Sequence, residues 1–182
     1  MIKRFQNDFE NRKLQEALTR QTIVGNDAVL AKRLAEAVEL VVIAKGETLI
    51  TQDSFSSDMF FIVAGAFDIL KNGRERAVRK VGQHIGDMSM IDVSAPRSAT
   101  VIAKEPSLVA RISEEDFTEI AKDHGSLWRS IAIELGCRLR EVNRHIEKKN
   151  EIPKFFIGSS TEAIKLANSF AERFFTLLAM SV

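Results

Sequence analysis

The sequence predicts an α+β protein in which a block of short antiparallel strands lies between helices at its amino end and a long helix at its carboxyl end. Three observations support this prediction. Short β-prone runs follow one another through residues 38–112 at intervals of about ten residues. Apolar residues recur at helical spacing before and after this block. The spacing leaves no room for crossover helices, so the strands form an antiparallel roll or a sandwich.

Two helices are predicted before the strands. In the first, over residues 2–18, apolar residues recur at helical intervals among charges. They are Phe5, Phe9, Leu14 and Leu18. Gly25 then marks a turn, and Asn26 or Asp27 is a suitable N-cap for a second, short helix. One face of this second helix carries Leu30, Leu34 and Val38.

The strand block consists of short apolar and β-branched runs separated by turn signals such as KG, NG and VGQ. The runs are VELVVIA, ETLIT, MFFIVAG, AFDILKN, RAVRKV, SATVIAK and SLVARI. The strongest hairpin signal is Asn72-Gly73, because a two-residue turn with positive φ at both positions favours this dipeptide. We therefore expect AFDILK and the basic RERAVRK to pair as neighbouring strands.

Two helices are predicted after the strands. Ser113 is an N-cap hydroxyl followed by three acids, so a short helix begins there and ends near His124-Gly125. A long helix follows, with apolar residues at intervals of three or four over about five turns. These residues are Leu127, Ile131, Leu135, Leu139, Val142 and Ile146.

The helices and strands together form a first domain over residues 1–149, followed by a linker at 150–153. The linker is placed there because Pro153 does not readily continue a helix. Residues 154–182 then have the pattern of a strand, a glycine-serine loop and a helix, with Glu162 three positions after Ser159. This stretch is too short for an independent α/β domain, so we expect it to be the opening of a further one.

Composition and charge exclude several kinds of partner. The 26 basic and 25 acidic side chains give a formal charge of +1, which offers no general attraction for nucleic acid or an anionic membrane. Cys137 is the single cysteine, which excludes an intramolecular disulfide and a multi-cysteine zinc site and favours the cytoplasm. We find neither a signal peptide nor a membrane span. The histidines lack ligand spacing, so we interpret His84, His124 and His145 as surface or structural residues.

The stretch HIGDMSMIDVSAPRSATV at residues 84–101 contains an arginine that needs an anion. Arg97 follows a proline and precedes the small and β-branched residues of an expected buried strand. A guanidinium keeps its proton in proteins, so it requires a negative partner wherever it is placed. That partner is either the carboxylate of Asp92 or Asp87, in a structural ion pair, or a bound anionic ligand.

The whole pattern resembles the cyclic nucleotide-binding domains of the catabolite activator and protein kinase regulatory subunit class, over about residues 26–147. The matching motifs are a KGE turn at 45–47, the strand-glycine-strand stretch FIVAGAFDIL at 61–70 and the phosphate-binding cassette IGDMSMIDVSAPRSATV. The resemblance implies a β-roll that binds a cyclic nucleotide. It places the phosphate and ribose among Gly86, Asp87, Met88, Ser89, Arg97 and Ser98.

Each residue of the cassette has an expected chemical role. Gly86 lets the backbone approach closely, and a helix beginning near Asp87 would aim the N–H groups of Met88 and Ser89 at the phosphate. Arg97 supplies forked, charge-assisted donors, and the serine after it can add a hydroxyl. By resemblance, Asp87 accepts from the ribose 2′-hydroxyl, where the family usually has the longer glutamate. Asp87 is also a good helix-start acid with no ligand role.

The long helix is expected to close over the base. The resemblance places Val142 and Asn143 where the activators recognise adenine with hydroxyl side chains, and this sequence departs from that pair. Asn143 offers both a donor and an acceptor, so it suits a pyrimidine or a purine, and it is equally an ordinary solvated residue. The apolar stripe of this helix and the amphipathic first helix together predict a homodimer.

The tail KFFIGSSTEAIKLANSF resembles the first strand, loop and helix of TIR-like domains. A cyclic nucleotide sensor joined to such a domain is the arrangement of Pycsar antiphage effectors. That resemblance implies cUMP, or possibly cCMP, as the signal and NAD+ hydrolysis as the output. The catalytic glutamate of TIR enzymes lies beyond the first helix, so we expect residues 154–182 to be a truncated TIR-like start without a catalytic site. A cAMP-type sensor and a dimerisation module that binds no ligand are the alternatives.

Overall fold

The computed structural model describes residues 8–147, in which two antiparallel sheets lie beside a set of helices. The predicted α+β class with an antiparallel β-roll is therefore confirmed. The chain divides into two compact units between Cys137 and Arg138, inside the last helix. The predicted linker at 150–153 and the β-loop-α tail at 154–182 lie outside the described residues.

Two helices precede the strands and two follow them, as the sequence predicts, and a short helix begins at Asp87 within the strand block. They are α1 (Asp8–Thr19), α2 (Ala28–Ala37), α3 (Asp87–Ile91), α4 (Glu114–Asp123) and α5 (Ser126–Glu147). Asp27 begins α2, because its Oδ1 accepts hydrogen bonds from the N–H groups of Val29 at 2.9 Å and Leu30 at 3.0 Å. The Ser113 hydroxyl likewise accepts from Asp116 N–H at 3.1 Å and begins α4. Both helix starts are local features, which is why the sequence predicts them.

Within residues 8–147, the strands form two four-stranded sheets. They are β1 (Glu39–Ile43), β2 (Thr48–Ile50), β3 (Met59–Ala64), β4 (Ala66–Lys71), β5 (Arg74–Lys80), β6 (His84–Ile85), β7 (Thr100–Ala103) and β8 (Ser107–Ile112). The strand orders are β1-β8-β3-β6 and β2-β7-β4-β5, and every pairing is antiparallel. The strand β6 is missing from the sequence prediction, because two residues carry no periodic signal.

The predicted hairpin joins β4 to β5 through Asn72 and Gly73. Both residues have positive φ, 53° and 71°, as a type I′ turn requires. Gln52 contacts this turn from the end of β2: its Oε1 accepts from Asn72 N–H at 2.8 Å, and its Nε2 donates to Asn72 Oδ1 at 2.9 Å. The hairpin is thereby tied to a strand about twenty residues earlier.

The core has two parts because β3 is buried on both faces. Met59 and Phe61 pack with residues from all five helices, whereas Phe60 and Ile62 pack between the two sheets. Successive side chains of a strand point to opposite faces, so the continuous apolar run MFFIV supplies both parts. Full burial of each large side chain contributes about 1.5–3 kcal/mol. The first sheet is thus the middle layer between the helices and the second sheet.

The apolar residues of α5 differ in exposure along the helix. Leu127 and Ile131 are fully buried in the core, whereas Ile133 and Leu139 are more than half exposed. Of the stripe predicted from the sequence, Leu127 and Ile131 are therefore core, Leu135 packs half-buried against it, and Leu139 is exposed. Across residues 8–147, α5 included, no helix combines the length and hydropathy that crossing a bilayer requires.

Candidate functional site

The chain turns from β6 into the short helix α3 at Gly86. Gly86 has φ of 93° and is the N-cap of the helix. A Cβ atom at this position would lie 2.6 Å from the Asp58 carbonyl oxygen and 2.7 Å from Nη1 of Arg97. Both the backbone conformation and the close approach therefore require glycine.

Arg97 is held against this turn by the segment between β2 and β3. The residue is 3% exposed. Its Nε donates to Ser56 Oγ at 2.8 Å, its Nη2 to the Asp58 carbonyl at 2.7 Å, and its Nη1 to the Gly86 carbonyl at 3.4 Å. Its backbone exchanges two further hydrogen bonds of 2.9 Å with residues 53–54. The guanidinium is therefore fixed from both its side chain and its main chain.

The positive charge of Arg97 faces uncharged acceptors. The three hydrogen bonds end on one hydroxyl and two carbonyl oxygens. They use three of the five N–H donors, and the other two have no acceptor within residues 8–147. Burial lowers the pKa of Arg97, and the negative charge of Asp58 opposes that shift. The Asp58 carboxylate itself forms an ion pair with Arg111, whose Nη2 lies 3.1 Å from it. A buried cation with such neighbours suits an incoming anion.

The structural ion pair considered for Arg97 is not the arrangement found. Asp92 is exposed and accepts hydrogen bonds from Ser94, from the hydroxyl at 2.6 Å and the N–H at 3.1 Å. These bonds hold the pKa of Asp92 below its ordinary value. The carboxylate of Asp87 contacts His84. Neither acid supplies the hydrogen bonds that hold Arg97.

Asp87 is buried, and its carboxylate is engaged on both oxygens. Oδ2 lies 3.1 Å from His84 Nε2, and Oδ1 accepts from the N–H of Met88 at 3.1 Å. His84 is fully buried, so of its two interpretations, surface or structural, the structural one agrees with its position. The Nδ1 atom of His84 lies 3.6 Å from Oε2 of Glu134 on α5. A histidine placed between two carboxylates follows from the fold and from no spacing in the sequence.

The remaining cassette residues lie at different depths. Met88 is 54% exposed, whereas Ser89, in the same helix α3, is buried. Ser98 is exposed, and its hydroxyl lies 3.6 Å from the sulfur of Met88. The structure therefore brings Gly86 and Arg97 into direct contact and places Met88 against Ser98 across the cassette.

Asn143, proposed from the sequence as a base contact, is an exposed residue of α5. It lies beyond Arg138, in the second of the two compact units. The side chain of its neighbour Val142 lies outside the described residues. The role of Asn143 stays a prediction.

Sequence reasoning missed several residues that surround the cassette. Ser56 and Asp58 hold the guanidinium of Arg97, yet they lie about forty positions before it. The polar run SFSSD at 54–58 between two strands is the one local signal for them. His84 and Glu134 meet across fifty residues, and nothing in the sequence links them.

Comparison with known families identifies the fold around this cassette. Residues 40–124 match the family model of the cyclic nucleotide-binding domain. The chain contains a cyclic nucleotide-binding domain. Its fold is similar to that of a cyclic nucleotide-binding domain from Methylobacillus flagellatus, with a TM-score of 0.63 and 22% identity over 82% of this chain and 88% of that one. It is also similar to the regulatory domain of Toxoplasma gondii PKA with cAMP, with a TM-score of 0.57 and 20% identity over 65% of this chain and 47% of that one.

Curated relatives extend the similarity beyond this domain. The chain is 39% identical to the Pycsar effector protein BcPycTIR of Burkholderia cepacia over 92% of its length, which is 55% of that protein. It is 37% identical to the Pycsar effector protein XpPycTIR of Xanthomonas perforans, over 96% of this chain and 57% of the relative. The chain therefore spans about half the length of these curated relatives.

Proposed function

We propose that this chain is the cyclic nucleotide receptor of a Pycsar-type antiphage effector and that the ligand phosphate binds at Arg97. The observation that supports this proposal is the buried guanidinium of Arg97, whose hydrogen bonds end on uncharged atoms. A cyclic phosphodiester carries one negative charge on a compact group. Arg97 would donate to it through the N–H groups that the hydroxyl and carbonyls leave unused.

The neighbouring residues of the cassette bind the rest of the phosphate and the ribose. Gly86 gives the phosphate close access to the backbone, and the Ser89 N–H and the Ser98 hydroxyl are further donors. The Met88 N–H joins them if it exchanges its hydrogen bond with Asp87 Oδ1 for one with the phosphate. Asp87 accepts from the ribose 2′-hydroxyl. This arrangement binds every 3′,5′-cyclic ribonucleotide alike, because the phosphate and sugar are common to all of them.

The base is proposed to be a pyrimidine, with cUMP favoured and cCMP second. The similarity to Pycsar effector proteins supports this choice. Asn143 on α5 is the proposed base contact, since an amide donates and accepts and so matches the edge of a pyrimidine. A preference for cAMP is the alternative, because the same fold occurs in a regulatory domain solved with cAMP.

The signal is proposed to activate a TIR-like, NAD-hydrolysing effector in the cytoplasm, as part of a homodimer. The relatives that support this proposal extend well beyond the chain described here. The exposed Ile133 and Leu139 on α5 provide apolar surface for a second subunit. Sedimentation of the chain at micromolar concentration tests the dimer, and a monomer would contradict it.

Calorimetric titration with cUMP, cCMP, cAMP and cGMP tests the receptor proposal. Arg97→Ala should weaken binding by about 2–5 kcal/mol, which is roughly 30- to 5000-fold, because the phosphate loses its buried charged partner. Arg97→Lys keeps the charge without the planar fork and should recover part of this loss. Arg74→Ala, at an exposed position of β5, is the matched control and should bind as the wild type does.

Each result of this panel has a defined meaning. Unchanged affinity in Arg97→Ala would remove Arg97 from the site. A wild-type chain that binds none of the four nucleotides would instead favour the dimerisation module. Tight binding of cAMP without cUMP or cCMP would overturn the pyrimidine proposal and leave the receptor in place. Loss of affinity for cUMP in Asn143→Ala, with cAMP unchanged, would support the base contact.

A further inference from the structure

His84 occupies an unusual position for a titratable side chain. It begins β6, is fully buried, and lies between two carboxylates. Its Nε2 is 3.1 Å from Asp87 Oδ2, and its Nδ1 is 3.6 Å from Glu134 Oε2. Polar groups buried in this way are retained where partners compensate for their lost hydration. His84 therefore has a hydrogen-bond partner at Nε2 and a carboxylate at ion-pair distance from Nδ1, a contact that attracts only when the ring is protonated on both nitrogens.

The first partner is the acid of the cassette. One oxygen of Asp87 faces the imidazole of His84, and the other accepts from the N–H of Met88 at 3.1 Å. A carboxylate accepts only, so a hydrogen bond with His84 requires the hydrogen on Nε2. The contact with His84 therefore restrains the rotation of the Asp87 carboxylate and with it the direction in which the carboxylate accepts hydrogen bonds.

The second partner belongs to α5, outside the cassette. Glu134 Oε2 accepts a hydrogen bond of 2.7 Å from the Thr22 hydroxyl, in the turn between α1 and α2. The same oxygen lies within ion-pair distance of the imidazole of His84. Glu134 is thus held by Thr22 beside the ring of His84.

We propose that His84 is a positioning residue for sugar recognition: it sets the direction in which Asp87 meets the ribose 2′-hydroxyl, with Glu134 of α5 on the other side of its ring. The inference rests on the proposed function, since it assumes a cyclic ribonucleotide at the cassette. Its consequence is specific to the sugar. The chain distinguishes ribose from 2′-deoxyribose through Asp87, and that distinction depends on His84.

The test compares affinities of the full chain for cUMP and 2′-deoxy-cUMP, and for cAMP and 2′-deoxy-cAMP, by calorimetry. The wild type should prefer the ribonucleotide by about tenfold or more, the effect of one hydrogen bond to a charged acceptor. In His84→Leu, which removes both ring nitrogens, that ratio should fall to about threefold or less. His84→Gln can still present an amide N–H to Asp87 and should keep most of the ratio.

Control variants separate positioning from a general effect on folding. Thr22→Val removes the hydroxyl bound to Glu134 and should lower the ratio less than His84→Leu does. His124→Gln changes the histidine at the C-cap of α4 and should leave the ratio unchanged. If His84→Leu does not fold, His84→Asn, whose amide is too short to reach Asp87, takes its place.

The outcomes distinguish this inference from the proposed function. A ribose-to-deoxyribose ratio in folded His84→Leu or His84→Asn that equals the wild-type ratio overturns the inference, even if overall affinity falls. Equal wild-type affinity for both sugars overturns it as well, because Asp87 then has no part in sugar recognition. Wild-type chain that binds none of these nucleotides overturns the proposed function itself.

Discussion

The substitution Gly86→Ala tests the geometry of the cassette directly. Gly86 has φ of 93°, and a Cβ added there would lie 2.6 Å from the carbonyl oxygen of Asp58 and 2.7 Å from Nη1 of Arg97. An ordinary contact begins at 3.4 Å, so one side must move by 3.4 − 2.6 = 0.8 Å. Arg97 is buried and held by three hydrogen bonds, and Asp58 contributes backbone, so neither group moves easily.

The magnitude has two parts. A left-handed conformation costs an L-residue about 1–2 kcal/mol. Displacing the guanidinium from the carbonyl oxygens at 2.7 and 3.4 Å weakens hydrogen bonds from a buried charge, at a cost of about 1.5–3 kcal/mol. The sum is a loss of about 2.5–5 kcal/mol in the free energy of unfolding. Ligand affinity should fall too, because the guanidinium no longer lies where the phosphate binds.

A comparison of the thermal unfolding of Gly86→Ala with that of Gly73→Ala isolates the cost of displacing the guanidinium. Gly73 has a comparable φ of 71° but nothing within 4 Å of an added Cβ, so its substitution carries only the conformational cost. At about 4 °C per kcal/mol for a domain of this size, Gly86→Ala should unfold roughly 6–12 °C below Gly73→Ala. Equal melting temperatures would refute the reasoning, because they would mean that Arg97 and Asp58 accommodate the methyl group without cost.

Two further substitutions test the framework around the site. Gly65→Ala places a Cβ 2.1 Å from the hydroxyl oxygen of buried Ser107 and 2.9 Å from its Cα, at φ of 87°. It should lower the free energy of unfolding by about 3 kcal/mol or more in denaturant titration. The control is Gly46→Ala, where nothing lies within 4 Å of an added Cβ. An equal loss of stability in the two variants would contradict this expectation. Asp27→Ala removes both cap hydrogen bonds of α2 and should cost about 1 kcal/mol in the same assay, whereas Asp27→Asn should cost little. An Asp27→Ala variant as stable as the wild type would show that the cap contributes nothing.

The sequence by itself determined the features that depend on neighbouring residues. Asp27 and Ser113 begin helices because a side-chain oxygen reaches N–H groups two or three residues ahead. Asn72-Gly73 turns the chain because both residues tolerate positive φ. The same short-range information predicts the order of strands and helices. It also shows that the cassette contains an arginine that requires a negative partner.

The tertiary structure alone decided which atoms meet Arg97 and His84. The hydrogen-bond partners of Arg97 come from Ser56 and Asp58, about forty residues earlier, and His84 lies against Glu134, fifty residues later. These contacts arise when the middle sheet packs against the helices on one face and the second sheet on the other. The pattern of apolar and polar residues predicts which side chains are buried, but it does not predict which distant residue each buried polar group contacts. That pairing depends on chain folding over long separations, so the histidine behind the cassette acid is visible only in three dimensions.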